Sequence, residues 1–440
     1  MSGSLTFIAN PVEGNVNGDV NVPGDKSISH RSIMFGSLAD GRSYVKGFLP
    51  GDDCLATMNA FKAMGVNIQG PDADNNVIID GVGIDGLRQP SEQIDIGNSG
   101  TSIRLMSGIL AGQSFASSMA GDVSLNKRPM MRVVNPLKLM GADISANDDG
   151  TPPVVVKGGS KLSGIDYPLP MASAQVKSCV LLAGLFAEGT TTVTEPGITR
   201  DHTERMLQAF GYDVQVDGNK VSLQGGGRLT ACDITVPGDI SSATFFIVAG
   251  LIAKQGSITL RNVGMNPTRI GVLNIVQQMG GNIELVNKRF AGAEPVADLI
   301  VHASQLQGID IDEKDVPLAI DEFPAIFIAA ACAKGTTRLR NAEELRVKES
   351  DRIQAMADGL VTLGVDCTVV PDGIDIVGGK LGGGTINSHH DHRIAMSFAI
   401  SSLRASDTIT ILECENVATS FPNFVEMANG VGLNIKKQQA

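Results

Sequence analysis

Apolar and polar positions alternate along this chain in an order that repeats. Six times a helix end runs into Gly and then into a strand start. The phrase reads Ala63-Met-Gly65-Val-Asn-Ile68, Leu139-Met-Gly141-Ala-Asp-Ile144 and Ala209-Phe-Gly211-Tyr-Asp-Val214 in the first half. It returns as Gln278-Met-Gly280-Gly-Asn-Ile283, Thr362-Leu-Gly364-Val-Asp-Cys367 and Gly430-Val-Gly432-Leu-Asn-Ile435. Glycine at a helix C-terminus supplies the left-handed residue that closes the last turn, so the phrase has a physical cause. A second phrase is interleaved with it, in which an apolar helix ends in a small-residue turn and enters a β-branched strand. Leu38-Ala-Asp-Gly41-Arg-Ser-Tyr-Val45, Phe186-Ala-Glu-Gly189-Thr-Thr-Thr-Val193 and Ile252-Ala-Lys-Gln-Gly256-Ser-Ile-Thr259 are three of its copies. Each unit therefore predicts helix, strand, helix and strand, with a further β stretch such as Val77-Ile-Ile-Asp80 or Gly373-Ile-Asp-Ile-Val377. Glycines spaced roughly 70 to 85 residues apart suit small α+β units better than a solenoid.

A larger duplication overlies the six units. Val22-Pro-Gly-Asp-Lys-Ser27 is echoed by Val236-Pro-Gly-Asp-Ile-Ser241, near half the chain length later. Three units separate the two phrases and three follow the second. The expected domains are residues 22–238, and residues 1–21 plus 239–440, with the leading segment lent as a strand to the second half. A cleft between two such halves is the expected place for a ligand.

Composition narrows the function. The 440 residues are 42% hydrophobic and 19% charged, as in a globular protein with a large core. No apolar run reaches membrane-spanning length, and the N-terminus carries no basic region followed by an apolar one, so no span and no signal peptide are expected. Six scattered cysteines without a C-x-x-C predict reduced core thiols in a cytoplasmic protein. The net charge of −12 argues against a nucleic-acid partner, and the absence of Trp leaves little for base stacking. An acidic protein binds small anions only where Lys and Arg are concentrated, which makes clustered basic residues informative.

Those clusters sit at predicted helix starts. In Val22-Pro-Gly-Asp-Lys26-Ser27-Ile-Ser29-His30-Arg31, Asp25 or Ser27 can cap a helix whose first turns carry Lys26, Ser27 and Arg31. Free N–H groups and the helix dipole favour an anion there. Similar starts are Ile96-Gly-Asn98-Ser99-Gly100-Thr101-Ser-Ile-Arg104, Met171-Ala-Ser173-Ala-Gln175-Val-Lys177-Ser, Asp239-Ile-Ser-Ser-Ala243, Ile320-Asp321-Glu322-Phe-Pro and His389-His-Asp-His392-Arg393. Capping accounts for Ser, Thr, Asp and Asn at such places. Cations in a first turn oppose the dipole, however, so Lys26, Arg31, Lys177 and Arg393 require a counter-anion. Two more stretches add charge: Leu125-Asn-Lys127-Arg128-Pro-Met, with Arg132 a turn further on, and Arg346-Val-Lys348-Glu349-Ser-Asp351-Arg352. The second reads either as a solvated helix laced with surface ion pairs or as an Arg clamp with Glu349 as a proton-transfer group.

Three other motifs fail on context. Gly81-Val-Gly83-Ile-Asp-Gly86 is followed by Pro90 and a β-like run rather than a helix, so it is not a dinucleotide turn. Gly24-Asp-Lys26-Ser27 lacks the upstream glycine of a phosphate-binding P-loop. His389-His390-Asp391-His392 has no complementary ligand cluster elsewhere, so no metal is expected.

PGDKSISHR (23–31), GNSGTSIR (97–104), KRPM (127–130), MASAQVKS (171–178), RVKESDR (346–352) and DHRIAMSF (391–398) together, in this order, resemble the 5-enolpyruvylshikimate-3-phosphate synthase family, that is, the 3-phosphoshikimate 1-carboxyvinyltransferases. MASAQ and TRDHTE (199–204) are similar to its second bacterial class. The resemblance implies an α/β protein of two similar domains, each of three βαβαββ units, in the inside-out α/β barrel of the enolpyruvyl transferases, closing over the substrates. It implies transfer of the carboxyvinyl group of phosphoenolpyruvate to the 5-hydroxyl of shikimate 3-phosphate through a tetrahedral intermediate, in the pathway to aromatic amino acids. No metal and no organic cofactor are implied. The expected partners are the two small substrates, with no nucleic acid, no membrane and a monomeric chain.

By that resemblance, shikimate 3-phosphate contacts fall to Lys26, Ser27, Arg31, Ser173, Ala174, Gln175, Arg200, Asp321 and Lys348. Phosphoenolpyruvate contacts fall to Lys26, Asn98, Gly100, Arg128, Gln175, Lys348, Arg352 and Arg393. Asp321 would accept a proton, Glu349 with Lys26 would protonate the methylene carbon, and His392 would lie beside them. Two anionic ligands side by side repel, and these cations would offset the repulsion. The chain departs from the first bacterial class at Ala418-Thr419-Ser420-Phe421-Pro422, which lacks a lysine shortly before Phe-Pro. Gly100 is expected to leave room for the inhibitor glyphosate, where some second-class enzymes carry alanine. Two alternatives stand beside this reading. A UDP-N-acetylglucosamine enolpyruvyl transferase would need a reactive cysteine in the loop Gly121–Pro129, which has none. A non-catalytic anion-binding module would gain nothing from Asp321 and Glu349.

Overall fold

The computed structural model describes residues 5–439. Two compact units emerge: a continuous one, Gly24–Val236, and a split one, made of the residues up to Pro23 together with those from Pro237 onward.

The continuous unit holds helices α1 (Lys26–Leu38), α2 (Asp52–Ala63), α3 (Gly100–Ala111), α4 (Met131–Leu139), α5 (Ala174–Gly184) and α6 (His202–Ala209). The split unit holds α7 (Ile240–Ile252), α8 (Gly271–Gln278), α9 (Phe323–Cys332), α10 (Arg352–Thr362), α11 (His392–Ser401) and α12 (Phe424–Gly430). Odd and even helices differ in kind. The odd ones are apolar nearly all round: every residue of α7 is buried, as are most of α1, α3, α5, α9 and α11. Helices with no polar face belong in the middle of a core. The even ones expose a polar side, as in α4 and α6.

The sheets lie outside these helices. In the continuous unit one sheet orders Leu229–Thr230, Ala39–Lys46, Val77–Val82 and Asn67–Gln69, with Ile234–Thr235 as a second short strand parallel to Ala39–Lys46 beside Leu229–Thr230. A second orders Ile94–Asp95, Ser117–Ala120, Val154–Val156 and Ile144–Ser145. The third orders Asp166–Pro168, Thr190–Thr194, Lys220–Gln224 and Val214–Asp217. The first pair is parallel in each, and the rest are antiparallel. The split unit repeats the plan in two sheets, both completed by the N-terminal segment, while its third sheet has three antiparallel strands, Thr336–Leu339, Gly373–Val377 and Asp366–Val370. Asn15–Val20 runs parallel to Gln255–Gly264, and Leu5–Ala9 pairs antiparallel with both Ile409–Leu412 and Ile435–Gln439. Every sheet is open; the inside-out order is built from three separate sheets around three buried helices.

The recurring glycines do what their position demands. Gly65, Gly141, Gly211, Gly280, Gly364 and Gly432 all have positive φ, between 79° and 116°, and each ends an even helix. The odd helices also start alike. Asp25, Ser99, Ser173, Asp239 and Asp391 each accept a hydrogen bond from a backbone N–H two or three residues on, capping α1, α3, α5, α7 and α11. Asp25, not Ser27, is the cap of α1.

Candidate active site

Odd helix starts carry most of the candidate residues, and each unit is best taken by itself. In the continuous unit, Lys26 opens α1 and its Nζ lies 2.5 Å from Asp53 in the first turn of α2. Ser27 follows it, and Arg31, one turn on, is buried. Its guanidinium donates to Thr203 Oγ1 (2.8 Å), Ser178 Oγ (2.9 Å) and the Ser27 carbonyl (3.0 Å). Asn98 and Gly100 form the turn into α3. Arg128 donates to Asn98 Oδ1 at 2.6 Å, and Asn98 donates in turn to Asp122 at 2.7 Å. Ser173 caps α5, Ala174 is its first residue, and Gln175 accepts from Arg104 at 2.7 Å while donating to Thr101 at 3.1 Å. Starts of α3 and α5 are thereby tied to each other.

Arg200 sits half-buried in the loop before α6. Its neighbour Thr199 donates to Glu195, whose other oxygen meets Lys177 at 2.8 Å. Lys177 also meets Glu204 at 2.7 Å. Lys177 therefore finds its counter-anions in two protein carboxylates, and the argument that a first-turn cation implies a ligand fails for it. Burial raises the Glu204 carboxyl above its ordinary range, while Lys177 acts in the opposite direction.

In the split unit, Arg352 is the centre. It is 1% exposed, and its guanidinium reaches Asp391 (2.8 Å), Glu349 (2.6 Å) and Asp321 (3.2 Å). Burial opposes its charge, yet the carboxylates of Asp391, Glu349 and Asp321 hold it more firmly protonated than usual. Lys348 bridges Asp321 (3.5 Å) and Glu344 (3.2 Å). Arg393 donates to the Asp321 carbonyl at 3.0 Å, and His392, the first residue of α11, follows the cap Asp391. Asp321, Lys348, Glu349, Arg352, His392 and Arg393 thus share one neighbourhood.

The run 346–352 is not one helix. A 3₁₀ segment, Glu343–Val347, ends before Lys348, and α10 starts at Arg352 with Asp351 as its cap. Arg346 belongs to the scaffold: it pairs with Asp351 at 2.6 Å and donates to the carbonyls of Val370 and Pro371. Neighbours in the other basic loop also part, since Lys127 is exposed and Arg128 is buried. Arg104 is the residue that sequence reasoning passed over. Its signal was present, four residues after Gly100 and so on the same helix face.

Among the described residues no group of three or more His, Cys, Asp or Glu is arranged to hold a metal ion, and no disulfide forms. His390 instead pairs with Glu415 and lies 3.6 Å from Glu413. Burial pushes the Cys332 and Cys414 thiols up to about 12, which suits packing better than nucleophilic chemistry. No helix among the described residues is long and apolar enough to cross a membrane.

Comparison with known proteins adds the following. Residues 12–427 match the family described as EPSP synthase (3-phosphoshikimate 1-carboxyvinyltransferase). The chain is similar to the 3-phosphoshikimate 1-carboxyvinyltransferase of Methylococcus capsulatus, at 59% identity over 98% of both chains. The enzyme of the same name from Hydrogenovibrio crunogenus is 57% identical over 99% of each. Among solved structures, an EPSP synthase from Acinetobacter baumannii is 57% identical and superposes with a TM-score of 0.88, covering 99% of this chain and all of the other. The enolpyruvyl transferase NikO from Streptomyces tendae shares the fold, with a TM-score of 0.81 over the full length of both chains at 17% identity.

Proposed function

The chain belongs to the EPSP synthase family, and from that premise we propose that it transfers the enolpyruvyl group of phosphoenolpyruvate to the 5-hydroxyl of shikimate 3-phosphate. The observation that carries this reading is identity of 56–59% over nearly the whole length of proteins with that activity in their names. In the addition, the 5-hydroxyl oxygen bonds to C2 of phosphoenolpyruvate, the hydroxyl gives up its proton, and the C3 methylene gains one. In the elimination, the C2–O bond to phosphate breaks, C3 loses a proton, and the enol ether and inorganic phosphate are released.

Both steps need proton acceptors and donors held beside cations. We assign hydroxyl deprotonation to Asp321 and protonation of the methylene to Glu349 with Lys26, with His392 beside them. Shikimate 3-phosphate is assigned to Lys26, Ser27, Arg31, Ser173, Ala174, Gln175, Arg200, Asp321 and Lys348. Phosphoenolpyruvate is assigned to Lys26, Asn98, Gly100, Arg128, Gln175, Lys348, Arg352 and Arg393. Grouping of Lys26, Ser27, Asn98, Gly100, Ser173, Ala174, Gln175, Asp321 and Arg393 at odd helix starts supports the assignment, because free N–H groups there add to the cations in holding phosphate and carboxylate.

We propose two domains, 22–238 and 1–21 plus 239–440, whose bounds fall within two residues of those of the compact units; the two strands that the N-terminal segment gives to the split unit support the reading. The chain acts as a cytoplasmic monomer on small molecules alone. The net charge of −12 disfavours nucleic acid. The test is to mix protein, phosphoenolpyruvate and shikimate 3-phosphate and follow inorganic phosphate. Release that depends on both substrates is expected; release indifferent to shikimate 3-phosphate would sink the reading.

A further inference from the structure

Behind the assigned contacts of the continuous unit lies a chain of polar side chains with no exposed surface. His30, Thr57, Ser99 and Ser102 are each 0% exposed. His30 Nδ1 is 2.8 Å from Thr57 Oγ1, Thr57 Oγ1 is 2.6 Å from Ser102 Oγ, and Ser102 Oγ is 2.6 Å from Ser99 Oγ. Thr57 also lies 3.2 Å from the Asp53 carbonyl, and Ser99 accepts from the Ser102 backbone N–H at 3.1 Å.

A hydroxyl has one hydrogen, so the directions can be counted. Thr57 spends its hydrogen on the Asp53 carbonyl, which can only accept. Thr57 Oγ1 then accepts from Ser102, Ser102 accepts from Ser99, and Ser99 accepts from the backbone. The second lone pair of Thr57 remains for a proton from His30 Nδ1, which also lies 3.4 Å from Ser102 Oγ, and the other ring nitrogen favours that direction. His30 Nε2 has no partner. As a bare acceptor it leaves no N–H stranded, whereas the opposite tautomer would strand one in the core. Neutrality follows as well: burial, and after it the positive charges of Lys26 and Arg31, hold the imidazole well below its ordinary range, with Asp25 opposing.

Each end of this chain reaches an assigned contact. Asp53 pairs with Lys26, and Ser99 sits between Asn98 and Gly100. We propose that His30 is a positioning residue: by donating Nδ1–H to Thr57, it locks the starts of α1, α2 and α3 together and so sets the spacing between the Lys26 ammonium and the Asn98–Gly100 turn. It touches neither substrate and works through Thr57 and the two serines.

The proposal rests on the reaction assigned above, and two readouts separate their failures. In the full chain labelled with ¹⁵N-histidine, His30 should keep a protonated Nδ1 and a bare Nε2 across about pH 5 to 8, where ordinary imidazoles titrate. An Nε2–H tautomer or a titrating signal overturns the proposal without touching the reaction. The second readout is a pair of variants. An asparagine amide reaches the Nδ1 position, and a glutamine amide reaches that of Nε2. His30→Asn should keep kcat/KM for phosphoenolpyruvate within about threefold, and His30→Gln should lower it by about tenfold or more, chiefly through KM. Equal behaviour of the two variants overturns the proposal. Should either variant fail to fold, the tautomer in the unaltered protein still decides. A chain with the expected tautomer that releases no phosphate would overturn the reaction instead.

Discussion

Three arginines of the continuous unit are held differently from Arg352 and Lys348 of the split unit, while Lys26 pairs with Asp53 and Arg393 donates to a carbonyl. In the continuous unit, Arg31, Arg104 and Arg128 meet neutral oxygens: hydroxyls of Thr203 and Ser178, the amide of Gln175 and the amide of Asn98. In the split unit, Arg352 and Lys348 meet carboxylates: Asp321, Glu344, Glu349 and Asp391. A neutral oxygen orients a guanidinium and leaves its charge available to an anion. A carboxylate neutralises the charge, but it also brings a group that can carry a proton. The first arrangement suits binding, and the second suits binding coupled to proton transfer.

The largest expected effect comes from removing the cation in each setting. Arg352→Met would leave Asp391, fully buried, without the guanidinium that offsets it, at a cost of about 3–5 kcal/mol. Arg128→Met removes a guanidinium that donates to the Asn98 amide and the Ser124 hydroxyl, and loss of those bonds costs about 1–3 kcal/mol. Urea midpoints should therefore fall much further for Arg352→Met, and KM for phosphoenolpyruvate should rise in the folded Arg128→Met protein. Similar midpoints for the two variants would erase the contrast between the units.

Next in size is Glu349→Gln. The amide keeps an oxygen for Arg352 at the position now 2.6 Å away, but it cannot carry a proton. We expect kcat to fall about 10²- to 10⁴-fold with little change in KM. Loss confined to KM would make Glu349 a support for Arg352 and nothing more.

Smaller again is a test on carboxylates of the continuous unit other than Asp53, which pairs with Lys26. Two of them, Glu195 and Glu204, share the single ammonium of Lys177 in the core. The folded Glu204 carboxyl is raised above its unfolded value, first by burial. Its contribution to stability is then complete below the unfolded value and is lost as pH climbs through the raised one. Unfolding midpoints should decline across that window, and Glu204→Gln should flatten the decline. A decline that persists unchanged in Glu204→Gln would assign it to other groups.

What the sequence made legible was whatever is local. Six glycine-closed helices and five capped odd helix starts follow from cap chemistry acting over four residues, and they could be counted before any contact was known; α9 starts without a side-chain cap. Most candidate residues could be gathered because they sit at those starts, whereas Arg128, Arg200, Lys348 and Glu349 lie in connecting segments and Arg352 opens the even helix α10. Pairing across the fold was not legible. Lys177 was read as awaiting an anion because Glu195 and Glu204 are 18 and 27 positions away in the chain and join it only through packing. For Arg352 the residues of RVKESDR leave both a solvated charged helix and an Arg clamp open, because nothing in them signals that Asp321 and Asp391, some 30 to 40 positions away on either side, would meet it in the core. Arg104 hid behind Gly100 for the same reason: its partner Gln175 lies in another repeat.

The mildest perturbation probes the neutral-oxygen setting most finely. A Cβ added at position 100 would come within 2.9 Å of Arg128 Nη1 and 3.1 Å of Arg104 Nη1. Both neighbours are the far ends of long side chains, so the fold can yield, and alanine also lowers the entropy of the unfolded chain. Gly100→Ala should therefore change stability by less than about 1 kcal/mol. Its effect belongs to recognition. Guanidiniums oriented by neutral oxygens are held by about 1 kcal/mol per hydrogen bond, so a methyl group can displace them and fill the space beside them. An inhibitor that uses that space loses it, and glyphosate should inhibit Gly100→Ala more weakly than the unaltered chain, with a smaller change in KM for phosphoenolpyruvate. Ordinary turnover of the unaltered chain at millimolar glyphosate would show that Gly100 leaves no such room, and equal inhibition of both proteins would show that the displaced guanidiniums do not read the inhibitor.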